Sequence, residues 1–311
     1  MNKISNRQVI CDTLMDLAKN DKDIMVLTCD SRGSASMGNF ADKYPDQFVE
    51  VGIAEQDSVG IAAGLATCGK KPYVASPACF LSMRSVEQIK VDVAYSKTNV
   101  KLIGISGGVS YGALGMTHHS LQDIAVMRAI PDIAVLLPAD RFETKKMIEA
   151  LQKCDKPAYI RIGRNPVEDV YESENFEFKI GKANTIHEGS DIAIIATGET
   201  VKPALDASKE LESKGISCRV ISMHTLKPLD EEVIIKAAKE TKGIITVEEH
   251  SIYGGLGAAV SEVVCQKAPN KMKIIGIADE PAITGNSKEV FHYYGLTAEN
   301  LVKVAEEILK K

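Results

Sequence analysis

The residue of this 311-residue chain best placed to do chemistry is an acid at a strand-to-helix junction. Val49-Glu-Val-Gly-Ile-Ala-Glu55-Gln56 reads as a strand that turns into a helix rich in Gly and Ala. A helix start favours negative charge there, and the apolar neighbours strip the carboxylate of water. Such an acid is either a cap or a group that handles protons, and the spacing alone leaves both open. The second candidate lies in Ser110-Tyr-Gly-Ala-Leu-Gly-Met-Thr117-His118-His119. A histidine after a flexible Gly-rich turn can reach substrate oxygens as donor, acceptor or proton carrier, although a lone loop histidine is more often inert.

A third segment points elsewhere. Val247-Glu-Glu-His250-Ser-Ile-Tyr-Gly-Gly-Leu-Gly257 places Gly255-x-Gly257 at a helix start, with Asp279 after a later strand. This mimics part of a dinucleotide-binding fingerprint and would make the chain a dehydrogenase. The glycines come too long after the strand, however, and the full G-x-G-x-x-G is missing.

Short apolar runs alternate with longer helical patterns, which predicts α/β layers around mainly parallel sheets. Strands are expected over 23–29, 48–51, 71–76, 101–106, 133–137 and 157–162, with a small-residue helix over 58–67. Further helices are expected over 82–96, 121–129 and 141–153. From Asn165 to Gly189 the pattern breaks: Pro166, the acidic stretch 168–174 and alternating Phe176 and Phe178 suggest a linker with a surface hairpin. A second unit follows, with strands over 191–196, 218–221, 243–247 and 273–277 and helices over 201–214 and 298–309. The Gly-rich loop after 101–106 and the acid after 48–51 thus both belong to the first unit.

Apolar content of 45% and charged content of 25% are those of a globular chain. A net charge of −5, no Trp and only 5% aromatics argue against nucleic acid or an anionic membrane as partner. No apolar run approaches the roughly 18 residues of a membrane span, and the first residues lack an export signal. The seven scattered cysteines form no C-x-x-C pair and read as reduced thiols of a cytoplasmic protein.

Gly52-Ile-Ala-Glu55-Gln56 resembles the pyrimidine-domain motif of transketolases and 1-deoxyxylulose-5-phosphate synthases. The resemblance implies that Glu55 hydrogen-bonds N1′ of the aminopyrimidine of thiamine diphosphate and so promotes formation of the reactive ylide, in a dry cleft. Ala75-Ser-Pro-Ala-Cys-Phe80-Leu-Ser-Met83-Arg84 resembles the family's aromatic segment. It implies that Phe80 stacks on the pyrimidine, with plain core packing as the alternative. Pro77 and Met83 stand where the family has further aromatic residues, so Met83 is a cofactor-facing position in a less aromatic pocket. Asp30 matches an acid near the cofactor at the end of the family's first strand.

The loop ending in Thr117-His118 resembles the transketolase stretch that ends in Thr-His-Gln, which makes His118 a catalytic and substrate-binding candidate and His119 a weaker one. Asn6-Arg7-Gln8, Asp30-Ser-Arg-Gly-Ser34 and Ile162-Gly-Arg164-Asn-Pro166 match the residues that gather around a substrate's terminal phosphate. Arg7, Ser34 and Arg164 are therefore expected to bind substrate, with Arg32 an extra cation nearby. A guanidinium fork suits phosphate or sulfonate oxygens. Leu114 and Ser106 stand where sugar-phosphate transketolases have a substrate-binding Asp and His. Leucine cannot accept a hydrogen bond, so an unusual ketose is expected, such as apulose 4-phosphate or 6-deoxy-6-sulfofructose.

The resemblance spans nearly the whole chain but only two domains of the family: a pyrimidine-binding domain (1–165) and a C-terminal domain (189–311), joined by a linker (166–188). Both are expected to be three-layer α/β/α folds. The family's Gly-Asp-Gly motif, which holds Mg²⁺ and the diphosphate through oxygen ligands, is absent from the sequence. It is expected on an N-terminal partner subunit in an α₂β₂ assembly that transfers a two-carbon ketol unit between a ketose and an aldose. A 1-deoxyxylulose-5-phosphate synthase-like enzyme and a 2-oxo-acid dehydrogenase β subunit are the alternatives within the enzyme class. The Thr117-His118 loop and Arg164 fit sugar-phosphate work better. A regulatory subunit would be expected to lack Glu55, and His250 is expected to be structural or interfacial.

Overall fold

The computed structural model describes residues 4–310. Strands β1 (Ile24–Thr28), β2 (Phe48–Glu50), β3 (Lys71–Pro77), β4 (Lys101–Ile105), β5 (Ala134–Leu136) and β6 (Ala158–Arg161) run parallel in one sheet, in the order β5-β6-β4-β3-β1-β2. A second sheet has the order β12-β11-β8-β9-β7, built from β7 (Asn184–His187), β8 (Ile192–Ala196), β9 (Cys218–Ser222), β11 (Ile244–Ser251) and β12 (Met272–Ile277). Its edge strand β7 runs antiparallel to β9. The remaining strand, β10 (Thr225–Lys227), follows β9 in the chain but pairs antiparallel with β5, closing an edge of the first sheet.

Strands covered on both faces need apolar side chains throughout, and the register shows how they are shared. Leu27, Val74, Leu102 and Tyr159 lie in line across β1, β3, β4 and β6. They face a core that continues to Ile195 and Ile221 of the second sheet. Their neighbours Val26, Ala75, Ile103 and Ile160 point the other way, into a core with Ile10 and Leu14 of α1 (Asn6–Ala18) and Met147 and Ile148 of α7 (Arg141–Gln152). Side chains set both helix starts: Ser5 accepts from the Gln8 N–H, and Asp140 from those of Phe142 and Glu143. The outer core of the second sheet is covered by α8 (Val201–Ser213) and α12 (Ala298–Lys310). The other helices are α2 (Gly38–Lys43), α3 (Glu55–Thr67), α4 (Ala78–Arg84), α5 (Val86–Gln88), α6 (Asp123–Ala129), α9 (Glu231–Glu240), α10 (Leu256–Lys267) and α11 (Ser287–Tyr293).

Three local expectations change. The helix expected over 82–96 is broken: α4 stops at Arg84, and α5 runs into a π-helix, Ile89–Tyr95. There the Ser96 N–H reaches back to the Val91 carbonyl, and the wider turn keeps Ile89, Val93 and Ala94 buried together. Phe176 and Phe178 form no hairpin. They anchor the connection by stacking on Tyr171 (ring centroids 3.9 Å apart) and His224 (4.2 Å), so their alternation reflects two separate ring contacts rather than a pleat. The end of that connection, read as linker, is strand β7.

Candidate active site

The chemistry-bearing residues follow the carboxyl ends of five parallel strands of the first sheet: Asp30 after β1, Glu55 after β2, Phe80 after β3, His118 after β4 and Arg164 after β6. Ligand sites of open parallel sheets form at this end, because the loops there converge while the helices cover the faces. Residues up to 134 positions apart in sequence are gathered here by topology alone.

Glu55 is the first residue of α3 and is only 4% exposed. A Gly52 turn at φ +77° leads into it, a conformation that favours glycine. Glu50 braces that turn: its Oε1 accepts the N–H groups of Asp30 (2.6 Å) and Gly52 (3.1 Å), and its Oε2 accepts the Thr28 hydroxyl (2.7 Å). Partial burial works against the Glu50 charge, but these donors prevail and hold its carboxyl below the usual range. Asp30 itself is exposed, at φ +52°.

At Glu55, Oε2 accepts Arg84 Nη1 at 3.0 Å and Oε1 lies 3.5 Å from the Ser76 hydroxyl. The Arg84 guanidinium in turn lies 4.0 Å from the Phe80 ring centroid, within cation–π range. Both belong to α4, whose two turns place residues four apart on one face. Met83, its neighbour, is half-exposed. A cleft of about 550 Å³ opens beside Glu55, lined by residues 53–57 and Arg84.

His118 also meets Phe80, edge-on, with ring centroids 5.2 Å apart. Its Nδ1 lies 2.9 Å from the Thr117 hydroxyl, so Nε2 is the nitrogen left for a ligand. Tyr111 packs against the same ring at 5.3 Å, and Arg164 lies over Tyr111 at 5.2 Å. Arg164 Nη1 is buried without a partner, and its carbonyl accepts Arg7 Nε at 2.9 Å. Arg7 also donates to the Ser34 carbonyl at 2.5 Å, so Ser34 meets it through the main chain. Burial first, and the Arg164 charge second, lower the Arg7 pKa. Two guanidinium groups held together at the start of α1 make an electropositive corner.

The other candidates divide. Leu114 is half-exposed on the turn before His118, whereas Ser106 is fully buried at φ +55° with its hydroxyl unpartnered. His119 points inward to the Gly112 carbonyl at 3.1 Å, and burial lowers its pKa. His250 is fully buried, with Nδ1 2.8 Å from the Ser251 carbonyl. The dinucleotide reading fails on geometry. The Glu248 carboxylate accepts the Leu256 and Gly257 N–H groups at 2.6 and 2.7 Å, at the helix start a pyrophosphate would need. Arg84 and Tyr111 escaped the sequence reading because each acts through a neighbour, four residues away for Arg84 and seven for Tyr111. The four-residue spacing of Phe80 and Arg84 was the available signal.

A two-domain chain of parallel α/β sheets, with a buried acid, an aromatic ring, a loop histidine and paired arginines at the strand ends, is the architecture of the thiamine-dependent ketol transferases. The chain belongs to the transketolase family: residues 2–168 match its pyrimidine-binding domain and residues 181–301 its C-terminal domain. It is 54% identical over 310 residues, covering 100% of this chain and 99% of the other, to an apulose-4-phosphate transketolase subunit of Phocaeicola vulgatus. It is 37% identical to a 6-deoxy-6-sulfo-D-fructose transketolase subunit of a Clostridium species, covering 98% and 94% of the two chains. Among solved structures, a split-gene transketolase in an inactive β₄ tetramer superimposes with a TM-score of 0.90 at 36% identity, covering 99% of each chain. The chain is thus the C-terminal subunit of a split transketolase.

Proposed function

We propose that this subunit works with a diphosphate-binding partner to move a two-carbon ketol unit from a branched ketose phosphate, apulose 4-phosphate, to an aldose phosphate. The reading rests on one observation above the rest: Glu55, Arg84, Phe80, His118, Tyr111 and Arg164 form an unbroken line of contacts at the strand ends. One end of that line offers an acid and a ring, and the other offers cations. The relative from Phocaeicola vulgatus supports the choice of ketose, as does half-exposed Leu114, which accepts no hydrogen bond from a substrate hydroxyl.

Thiamine diphosphate, when bound, supplies a nucleophilic carbon and an electron sink for cleaving a ketose carbon–carbon bond. The residues here fit its aminopyrimidine: Glu55 and Arg84 line a cleft of about 550 Å³, a ligand-binding size, and the Phe80 ring lies 4.0 Å from the Arg84 guanidinium. In this reading Glu55 holds the ring and exchanges a proton with it, Phe80 stacks against it, and Asp30 and Met83 border it. His118 holds or moves a proton at a substrate oxygen through Nε2. Arg7, Ser34 and Arg164 bind the terminal anion. The Mg²⁺ ligands and the diphosphate loop belong to the partner, in an α₂β₂ assembly. The seven free cysteines suit a cytoplasmic setting. We assign residues 1–165 to the pyrimidine-binding domain, the connection from 166 up to β7 to a linker, and the rest, from β7 onward, to the C-terminal domain whose sheet that strand joins.

Co-expression with the Gly-Asp-Gly-bearing subunit and assay of ketol transfer from apulose 4-phosphate tests the proposal. Glu55→Gln in that complex is expected to cost about 10²–10⁴-fold in rate, the usual worth of a positioned proton-transfer group. Undiminished transfer by Glu55→Gln would sink the mechanism, and transfer by this subunit alone would sink the two-chain reading.

A further inference from the structure

The substrate end of the site hangs from two main-chain segments, the loop leading to His118 and the turn leading to Arg164. Both lean on charged groups from the second half of the chain. Arg161, at the end of β6, is 6% exposed and donates Nη2 to the Glu249 carbonyl at 2.6 Å, with Nε 3.5 Å from the Asp123 carboxylate. Glu249, on β11, is 4% exposed, and its Oε1 accepts the Val109 N–H at 2.7 Å across 140 residues. Glu199, in the turn after β8, presses its buried carboxylate against Gly163, the residue before Arg164, with Oε1 free of any hydrogen-bond partner.

The glycines show how closely these groups grip the backbone. A Cβ on Gly107 would lie 2.2 Å from Arg161 Nε, and one on Gly108 2.2 Å from Glu249 Cδ and 2.4 Å from Arg161 Nη2. On Gly163 it would lie 1.6 Å from Glu199 Oε1. None of these sites leaves room for a side chain, so main chain and charged groups meet directly. A second face of the loop is held too: a Cβ on Gly112 would lie 2.5 Å from the Gly285 carbonyl oxygen. Burial first, and mutual repulsion with each other or Asp123, push the Glu199 and Glu249 carboxyls up, while Arg161 pulls both down. Such a cluster is costly to leave half-paired, which makes its geometry stiff.

We propose that Glu249 and Glu199 of the C-terminal domain, joined through Arg161, are positioning residues for substrate: they fix the main chain that carries His118 and Arg164. The inference rests on the proposed function and adds to it a task for the C-terminal domain, which contributes no side chain to the line from Glu55 to Arg164.

The test compares Glu249→Ala, Glu249→Asp and Glu249→Gln in the two-subunit complex, with hydrogen exchange of the full chain as a second readout. Gln keeps an oxygen that reaches the Val109 N–H. Asp keeps the charge but retracts it by one methylene, and Ala keeps neither. Ala and Asp are expected to raise KM for the ketose phosphate about tenfold with kcat within about threefold. They should also speed amide exchange over 107–120 about tenfold while β8 and β9 stay as in the wild type. Gln should restore both readouts. Should Glu249→Ala not fold, Asp against Gln makes the same comparison, and Glu199→Gln against Glu199→Asp repeats it at Arg164. Wild-type KM and loop exchange in the Asp variant would overturn the proposal, and so would a Gln variant as impaired as Asp. A wild-type complex that transfers no ketol unit would instead count against the functional reading, and the exchange comparison would still decide whether the cluster holds the loop.

Discussion

Arg84 donates to the carboxylate of Glu55 over 3.0 Å while its guanidinium lies 4.0 Å from the ring of Phe80. The acid and the ring expected to receive a pyrimidine are therefore both engaged by one side chain of α4, which is itself nearly half-exposed. A group that hydrogen-bonds Glu55 and stacks on Phe80 must compete with it.

Replacing Arg84 with Met should accordingly tighten thiamine diphosphate binding to the assembled enzyme. Exposed ion pairs contribute up to about 1 kcal/mol and hydrogen bonds to charged groups about 1.5–3 kcal/mol, so for this half-exposed pair a gain of about five- to tenfold is expected by titration calorimetry. Weaker binding in Arg84→Met would mean that the guanidinium is a ligand of the cofactor rather than its competitor.

At the opposite end, Arg164 Nη1 is buried without a partner beside the Arg7 guanidinium. A charge-assisted hydrogen bond to an anion contributes about 1.5–3 kcal/mol. Arg164→Ala should therefore raise KM for the phosphorylated ketose about 10- to 100-fold and leave kcat nearly unchanged. Steady-state kinetics with the phosphorylated ketose and its unphosphorylated counterpart separate the effects. An equal loss with both would refute the anion-binding role.

Glu143 provides a test by pH. It is fully buried, and burial pushes its carboxyl from 4.5 up to about 7, although it accepts the Ala139 N–H, the Tyr171 hydroxyl and the Ser222 hydroxyl. Between pH 4.5 and about 7 the folded protein keeps a proton that the unfolded chain has lost. Its contribution to stability is thus complete below pH 4.5 and lost as pH rises through about 7. Glu143→Gln, which does not titrate, should show a Tm that gains on the wild type by a few degrees between pH 5 and 8. Buried His224, held down to about 3, acts the opposite way at acidic pH, but it is common to both proteins and cancels from the difference. A constant Tm gap across that range would show that Glu143 does not titrate as described.

Much of the frame was legible in the sequence because it depends on local pattern. Val-Leu-Thr, Leu-Ile-Gly-Ile and Ile-Ala-Ile-Ile are short apolar runs bounded by turn residues, and they became β1, β4 and β8. The long helical periods at 201–214 and 298–309 became α8 and α12. Where local pattern was shared by two structures, the reading failed. The alternating Phe176 and Phe178 resemble a strand, but their partners are Tyr171, in the same connection, and His224, between β9 and β10. Strand β10 is three residues long, too short for a periodic signal, and it pairs 89 positions back with β5.

The sequence by itself determined that Glu55 opens a helix after a short strand, that His118 ends a Gly-rich loop, and that both sit in a family motif. Those are properties of neighbouring residues, and burial patterns and motif spacing carry them. Only the tertiary structure decided that Arg84 occupies the second oxygen of Glu55, that Tyr111 joins His118 to Arg164, and that Glu249 holds Val109 from 140 residues away. The physical reason is common to all three. A charged or aromatic side chain gains its role from whatever faces it when water is excluded, and that partner is set by the crossing of strands rather than by anything written beside it in the chain.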